Sequence, residues 1–188
     1  EGGEVYGTNR FFNALCLLSL AFDIHIIFDE VQTGFHLGRE FFWHKMFQLK
    51  YPDGSTLWPN FVTCAKKAQI GMVFSHENFR PYEEFSVASA IRGYHHAISI
   101  DQAHDLILKL EDKVRPLLEN LQKKYPQHMF SPRCCGLSFG IDLLDKKLCD
   151  SFIEQRFNAG LMFYPAGDTT LRFRLNLAYT EEDLKELF

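Results

Sequence analysis

The sequence contains no CxxC pair, no apolar run long enough to cross a bilayer, no basic stripe and no internal repeat. Each absence closes a class of function. The five cysteines, at positions 16, 64, 134, 135 and 149, are odd in number and include one adjacent pair, which suits neither a disulfide framework nor a zinc site. Reduced, mostly buried thiols are the reading that remains, and a cytoplasmic location goes with them. The most apolar stretch, ALCLLSLAFDIHIIF, is interrupted by Asp23 and His25 and is too short for a membrane helix, so no membrane partner is expected. With 20 basic against 24 acidic residues, the net charge is -4 and the pI about 6.1. Such a chain has little with which to neutralise phosphates, which argues against nucleic acid as a partner.

What is present is a chain of 188 residues, 46% apolar, with 19 phenylalanines. That length can bury a sizeable core, and the aromatic content suggests a large core or a subunit interface. Residues 9–22 carry apolar positions nearly all round a helix, the pattern of a buried helix covering a sheet. IHIIF (24–28) follows as a near-continuous apolar strand of the kind covered on both faces. REFFWHKMFQL reads as an aromatic-rich helix, and FVTCA (61–65) and MVFS (72–75) as short strands. This alternation predicts an α/β fold, with part of a mostly parallel sheet under covering helices.

From about residue 84 the pattern changes. A helix is expected over 86–99, and a long amphipathic one over 101–125 with Asp101 as N-cap and Pro116 as a kink or break. Strand CCGLSFGIDLL, helix KKLCDSFIEQRFN closed by Gly160, strands LMFYP and TLRFRLNL, and a last helix capped by Thr180 with Asp183 complete an α+β half. The division predicted is a large domain over 1–90 and a smaller α+β domain over 91–188.

The stretch IHIIFDEVQTGF raises the chemical question. A buried strand ends on adjacent carboxylates, Asp29 and Glu30, and such a carboxylate is costly without a cation beside it. In TCAKKAQIG, two lysines, Lys66 and Lys67, follow another apolar strand, and adjacent side chains there point different ways, so one can enter a cleft while the other stays solvated. An Asp and a Lys at the ends of neighbouring strands meet the needs of pyridoxal 5'-phosphate: an amine for the aldehyde and a carboxylate to keep the ring nitrogen protonated. From these residues alone that is one possibility among several. A metal site on His95 and His96 is disfavoured, since vicinal residues on a helix diverge by about 100°, and no metal is expected.

FDEVQTGFHLGREFFWHKMF with PNFVTCAKKAQIGMVFS resembles the large-domain signature of the class III, or ω-amino, pyridoxal-phosphate aminotransferases. FSPRCCGLSFGIDL and YPAGDTTLRFRLNL resemble that family's C-terminal domain, so the likeness runs over nearly the whole chain. The double lysine and the Arg-Phe-Arg triplet look most like lysine 6-aminotransferases, with 4-aminobutyrate aminotransferases close behind. The resemblance implies fold type I. It implies that Asp29 pairs with the cofactor ring nitrogen, Val31 packs on the ring, Gln32 bonds its 3-oxygen, and Lys67 holds the aldehyde as a Schiff base. It implies that Arg172 binds the substrate carboxylate, that Glu1 lies near the substrate pocket, and that Glu30 supports the loop. The implied partners are an amino-acid donor, 2-oxoglutarate and a second copy of the chain, as a homodimer.

The sequence also departs from the family. It resembles a C-terminal portion in which a glycine-containing phosphate loop has no counterpart, and SHENFRPYEEFSVASAIRGYHHAIS lacks the threonine by which family members reach the neighbouring subunit's cofactor phosphate. Where the family has RPPL, this chain reads RLNL. Weak cofactor binding by the chain alone is therefore expected. The contrasting reading is a non-catalytic remnant of the fold.

Overall fold

A computed structural model of the chain describes residues 4–78 and 86–188. These form two compact units, one of Gly7–His104 and one joining the residues up to Tyr6 with Asp105–Phe188.

The first unit opens with helix α1 (Asn9–Phe22), whose N-cap Thr8 accepts a hydrogen bond from Phe11 N–H at 3.2 Å. Its inner face sets Phe12 and Cys16 against Phe47, Leu49 and Leu57, with the Phe12 and Phe47 rings stacked 3.9 Å apart. The expectation of a helix buried all round does not hold. Only Cys16 is buried, while Phe11, Leu15, Leu18, Leu20 and Phe22 are exposed. Periodicity reports how many faces of a helix are apolar, and the described residues supply a neighbour for one of them.

Three strands follow, β1 (Ile27–Asp29), β2 (Phe61–Cys64) and β3 (Met72–Ser75), in the order β1-β2-β3. β1 runs parallel to β2 with Asp29 opposite Thr63, whereas β2 and β3 are antiparallel, so the sheet is mixed rather than mostly parallel. β1 is also shorter and later than the apolar run 24–28. Ile24 N–H donates to Ser19 O at 2.8 Å and Ile26 N–H to the Asn60 side chain at 2.9 Å, so these groups are committed before the ladder begins. The helix expected in REFFWHKMFQL shrinks to a 3₁₀ turn, Trp43–Phe47, closed by Gln48 at φ 48°. A second 3₁₀ turn, Lys66–Ala68, follows β2 directly. Helix α2 (Val87–Gln102) completes the unit. Asp101 lies inside its last turn, not at the N-cap of the next helix, and its carboxylate is turned to His36.

The second unit is built on helix α3 (His104–Lys124), which runs through Pro116 undivided. The stretch expected as one strand is a hairpin, β4 (Met129–Cys135) and β5 (Ser138–Leu143), turning at Gly136 with φ 60°. Glu111 of α3, fully buried, holds that turn by accepting Gly136 N–H at 2.6 Å. Helix α4 (Lys146–Gln155), strands β6 (Tyr164–Ala166) and β7 (Thr170–Arg174) and helix α5 (Glu181–Leu187) follow. The sheet is antiparallel throughout, in the order β4-β5-β7-β6. Register sorts its side chains by face: Phe139 pairs with Phe173 and Ile141 with Leu171, whereas Ser138 pairs with Arg174, Gly140 with Arg172 and Asp142 with Thr170. One face is therefore apolar, with Phe139 and Phe173 stacked at 4.6 Å and Phe188 against Phe139. The other carries charge. At α5 the expected capping box is complete, Thr180 accepting from Asp183 N–H and Asp183 from Thr180 N–H.

Candidate active site

The parallel pairing of β1 and β2 brings their carboxyl ends to one edge of the first unit's sheet. Asp29 is the last residue of β1, and Lys67 stands in the 3₁₀ turn that leaves β2. The Asp29 side chain is exposed at the strand tip, where its Oδ1 accepts Val31 N–H at 3.1 Å and the Thr63 hydroxyl at 3.3 Å. Those contacts aim the carboxylate and close the chain into the turn that holds Val31 and Gln32, both half-buried. Lys66 takes the left-handed conformation, φ 47°, and is exposed, whereas Lys67 is half-buried with its Nζ 3.4 Å from the Phe35 carbonyl. The two lysines thus differ in burial, through the turn that follows β2 and not through strand alternation, and the amine of Lys67 returns to the loop that begins at Asp29.

That loop is anchored by Glu30. Its carboxylate, 2% exposed, accepts Trp43 N–H at 2.6 Å and His44 N–H at 2.8 Å, and lies 2.7 Å from His44 Nδ1. The two backbone donors are the first of the 3₁₀ turn, so Glu30 caps it. This is the loop-supporting role read from sequence. Burial, with the charge of Glu30 added, pushes the thiol of neighbouring Cys64 up to about 11. All five cysteines are free, and all but Cys135 are buried.

In the second unit, Arg172 and Arg174 share the charged face of β7 but are used differently. Arg174 pairs with Glu4 at 2.5 Å and donates to Ser138 Oγ at 2.8 Å. Ser138 in turn donates to Glu4 at 2.7 Å and lies 3.2 Å from the Tyr6 hydroxyl. Burial works to raise the Glu4 pKa, but the hydrogen bonds from Arg174 and Ser138 and the charges of both arginines outweigh it and hold it low. Arg172 has a buried Nη1 with no hydrogen-bond partner among the described residues. A buried guanidinium N–H without an acceptor is costly, and a carboxylate is the group that would satisfy it. Glu1 lies outside the described residues. Glu4 was missed in the sequence, where nothing marks a contact 170 positions away.

An acid and an amine at one end of two paired parallel strands fit the ring and aldehyde of pyridoxal phosphate, with Asp29 open to a cationic ring and the amine half-enclosed. The aminotransferase class-III family profile matches residues 1–188, and the chain belongs to that family, which depends on pyridoxal phosphate. Among curated proteins it is similar to the probable mitochondrial 4-aminobutyrate aminotransferase of Caenorhabditis elegans, 28% identical over all of this chain and 40% of that protein. It is also similar to the mitochondrial 4-aminobutyrate aminotransferase of Sus scrofa, 27% identical over 96% of this chain and 37% of that one. The chain thus spans about two-fifths of the curated relatives it matches. Among solved structures, the lysine aminotransferase of Mycobacterium tuberculosis superposes with a TM-score of 0.83 at 23% identity, over 97% of this chain and 44% of that chain. The Plasmodium falciparum ornithine δ-aminotransferase gives 0.76 at 17%, over 98% and 50%. These two likenesses speak to the fold.

Proposed function

We propose that the chain carries the lysine and carboxylate of a pyridoxal-phosphate transaminase that moves an ω-amino group onto 2-oxoglutarate, working as a homodimer. The observation that supports this most is the placement of Asp29 and Lys67 after the carboxyl ends of two paired parallel strands, with Lys67 half-buried and Lys66 exposed. Bound pyridoxal phosphate supplies a pyridinium ring that accepts electrons from the carbon bearing the substrate's nitrogen. Asp29 would hold the proton on the ring nitrogen, since a nearby carboxylate favours the cationic form. Val31 and Gln32 would help to hold the ring. The amine of Lys67 would hold the cofactor's aldehyde and could serve as the base that takes the proton from the substrate carbon. Arg172 would receive the substrate carboxylate at its buried Nη1, which has no partner among the described residues.

Two donors suit this reading. The curated relatives aligned along the chain are 4-aminobutyrate aminotransferases, which favours 4-aminobutyrate. The double lysine and the Arg-Phe-Arg triplet favour lysine as donor. Half-reactions of the cofactor-loaded protein with each amine, followed by loss of visible absorbance, decide between them. The underlying reading is tested by borohydride trapping with pyridoxal phosphate and peptide mapping. Label concentrated on Lys67 and lost in Lys67→Ala supports it, and label spread over the surface lysines overturns it.

A further inference from the structure

Helix α2 touches both halves of the lysine site at positions that no functional motif marks. Its buried stripe is Gly93, His96 and Ala97 (both half-buried) and Ile100, spaced as one helical face. Gly93 meets the turn that carries Lys67. A Cβ built at Gly93 would stand 2.7 Å from Ile70 Cγ2 and 3.0 Å from the backbone oxygen of Ala68, so only glycine lets the helix seat this closely on Lys66–Ala68. One turn on, the His96 ring lies stacked on Phe35 at 6.5 Å. Two turns on, the Asp101 carboxylate is 3.1 Å from Nε2 of His36, a residue 3% exposed. Phe35 and His36 are consecutive left-handed residues, φ 58° and 53°, a conformation neither side chain favours and which their surroundings must hold. It is the Phe35 carbonyl, set by that conformation, that lies 3.4 Å from Lys67 Nζ.

We propose that Gly93 and Asp101 are positioning residues for Lys67. Gly93 seats the turn from which the lysine springs, and Asp101 fixes, through His36, the carbonyl that its ammonium faces. Neither touches the reacting atoms. The inference rests on the reading of Lys67 as the cofactor lysine, so its test is independent of cofactor.

The test is reductive methylation of the cofactor-free protein with formaldehyde and cyanoborohydride over a range of pH. Fragment-ion mass spectrometry then gives the Lys67-to-Lys66 labelling ratio, with exposed Lys66 as internal standard. The ratio should rise about threefold to tenfold in Gly93→Ala and in Asp101→Asn, as for an amine released from one modest hydrogen bond. Its pH profile should move, and Asp101→Glu should restore the wild-type ratio. Because Gly93→Ala can prevent folding, the ratio is also read in Gly93→Ala/Ile70→Ala, where the Ala68 oxygen is the tight contact left. A wild-type ratio in both Asp101→Asn and the double variant overturns the proposal. Borohydride trapping keeps the two readings apart. Trapping at Lys67 with a ratio insensitive to α2 removes the positioning role alone, whereas trapping elsewhere removes the assignment of Lys67 itself.

Discussion

Replacing Glu30 by alanine should be among the most destabilising single changes in the first unit. The side chain is 2% exposed and satisfies Trp43 N–H, His44 N–H and the His44 ring, so its removal strands two backbone donors at the start of a 3₁₀ turn. A buried donor left without an acceptor costs about 1–3 kcal/mol, and water can reach the half-buried Trp43 end more readily than the His44 end. The expected loss is therefore about 3–5 kcal/mol, a large part of the roughly 5–15 kcal/mol that holds a typical domain together. Glu30→Gln keeps the shape and one acceptor oxygen but turns an N–H₂ towards the second donor, so about half of that loss is expected. Urea unfolding followed by far-ultraviolet circular dichroism measures both. An alanine variant within about 0.5 kcal/mol of wild type, the range of ordinary surface changes, would refute the clamp as described, and so would a glutamine variant worse than alanine.

Glu4 makes stability depend on acid. Its folded pKa lies below the ordinary 4.5, so its contribution is fully present above that value and is lost as pH falls through the lower folded value. Unfolding midpoints should drop over that acid window in wild type and drop less steeply in Glu4→Gln; parallel pH profiles would show that the Arg174 pair contributes nothing. Cys64, 1% exposed and with its thiol pushed up to about 11, should resist iodoacetamide at pH 8, while half-buried Cys135 reacts first. Mass mapping of alkylation reads that order, and early labelling of Cys64 would contradict the burial given to the end of β2.

The strongest sequence signals were those whose meaning is local. The capping box at Thr180 and Asp183 and the helix α1 at 9–22 depend on residues within a turn or two of one another, and each formed where it was expected. The failures share a different cause. The apolar run 24–28 is shortened because Ser19 and Asn60 claim its backbone donors, and Asn60 comes from 34 positions away. Asp101 reads as an N-cap by composition, yet its partner is His36, 65 positions back. Aromatic periodicity in 39–49 suggested a helix, but Glu30 starts a tighter turn there and Gln48 ends it. Local pattern cannot report which distant group will compete for a donor.

The same distinction divides the site. The placement of Asp29 and Lys67 at one sheet edge was legible because a parallel strand pair carries the residues after its carboxyl ends there, whatever surrounds them. Apart from the support given by Glu30, their surroundings were not legible, since Phe35, His36, Gly93 and Asp101 meet through contacts between segments. Arg172 and Arg174 show why this matters. They stand two residues apart, only Arg172 being given a role by the family resemblance, and register places both on one face of β7. In the structure Glu4 separates them: it takes Arg174 into an ion pair that ties residues 4–6 to the sheet, while Arg172 makes no such pair; each keeps one buried donor, Arg172 Nη1 and Arg174 Nε, with no partner among the described residues. Which of the two arginines carries the ion pair is thus decided by residues 4–6 as much as by the strand that bears them.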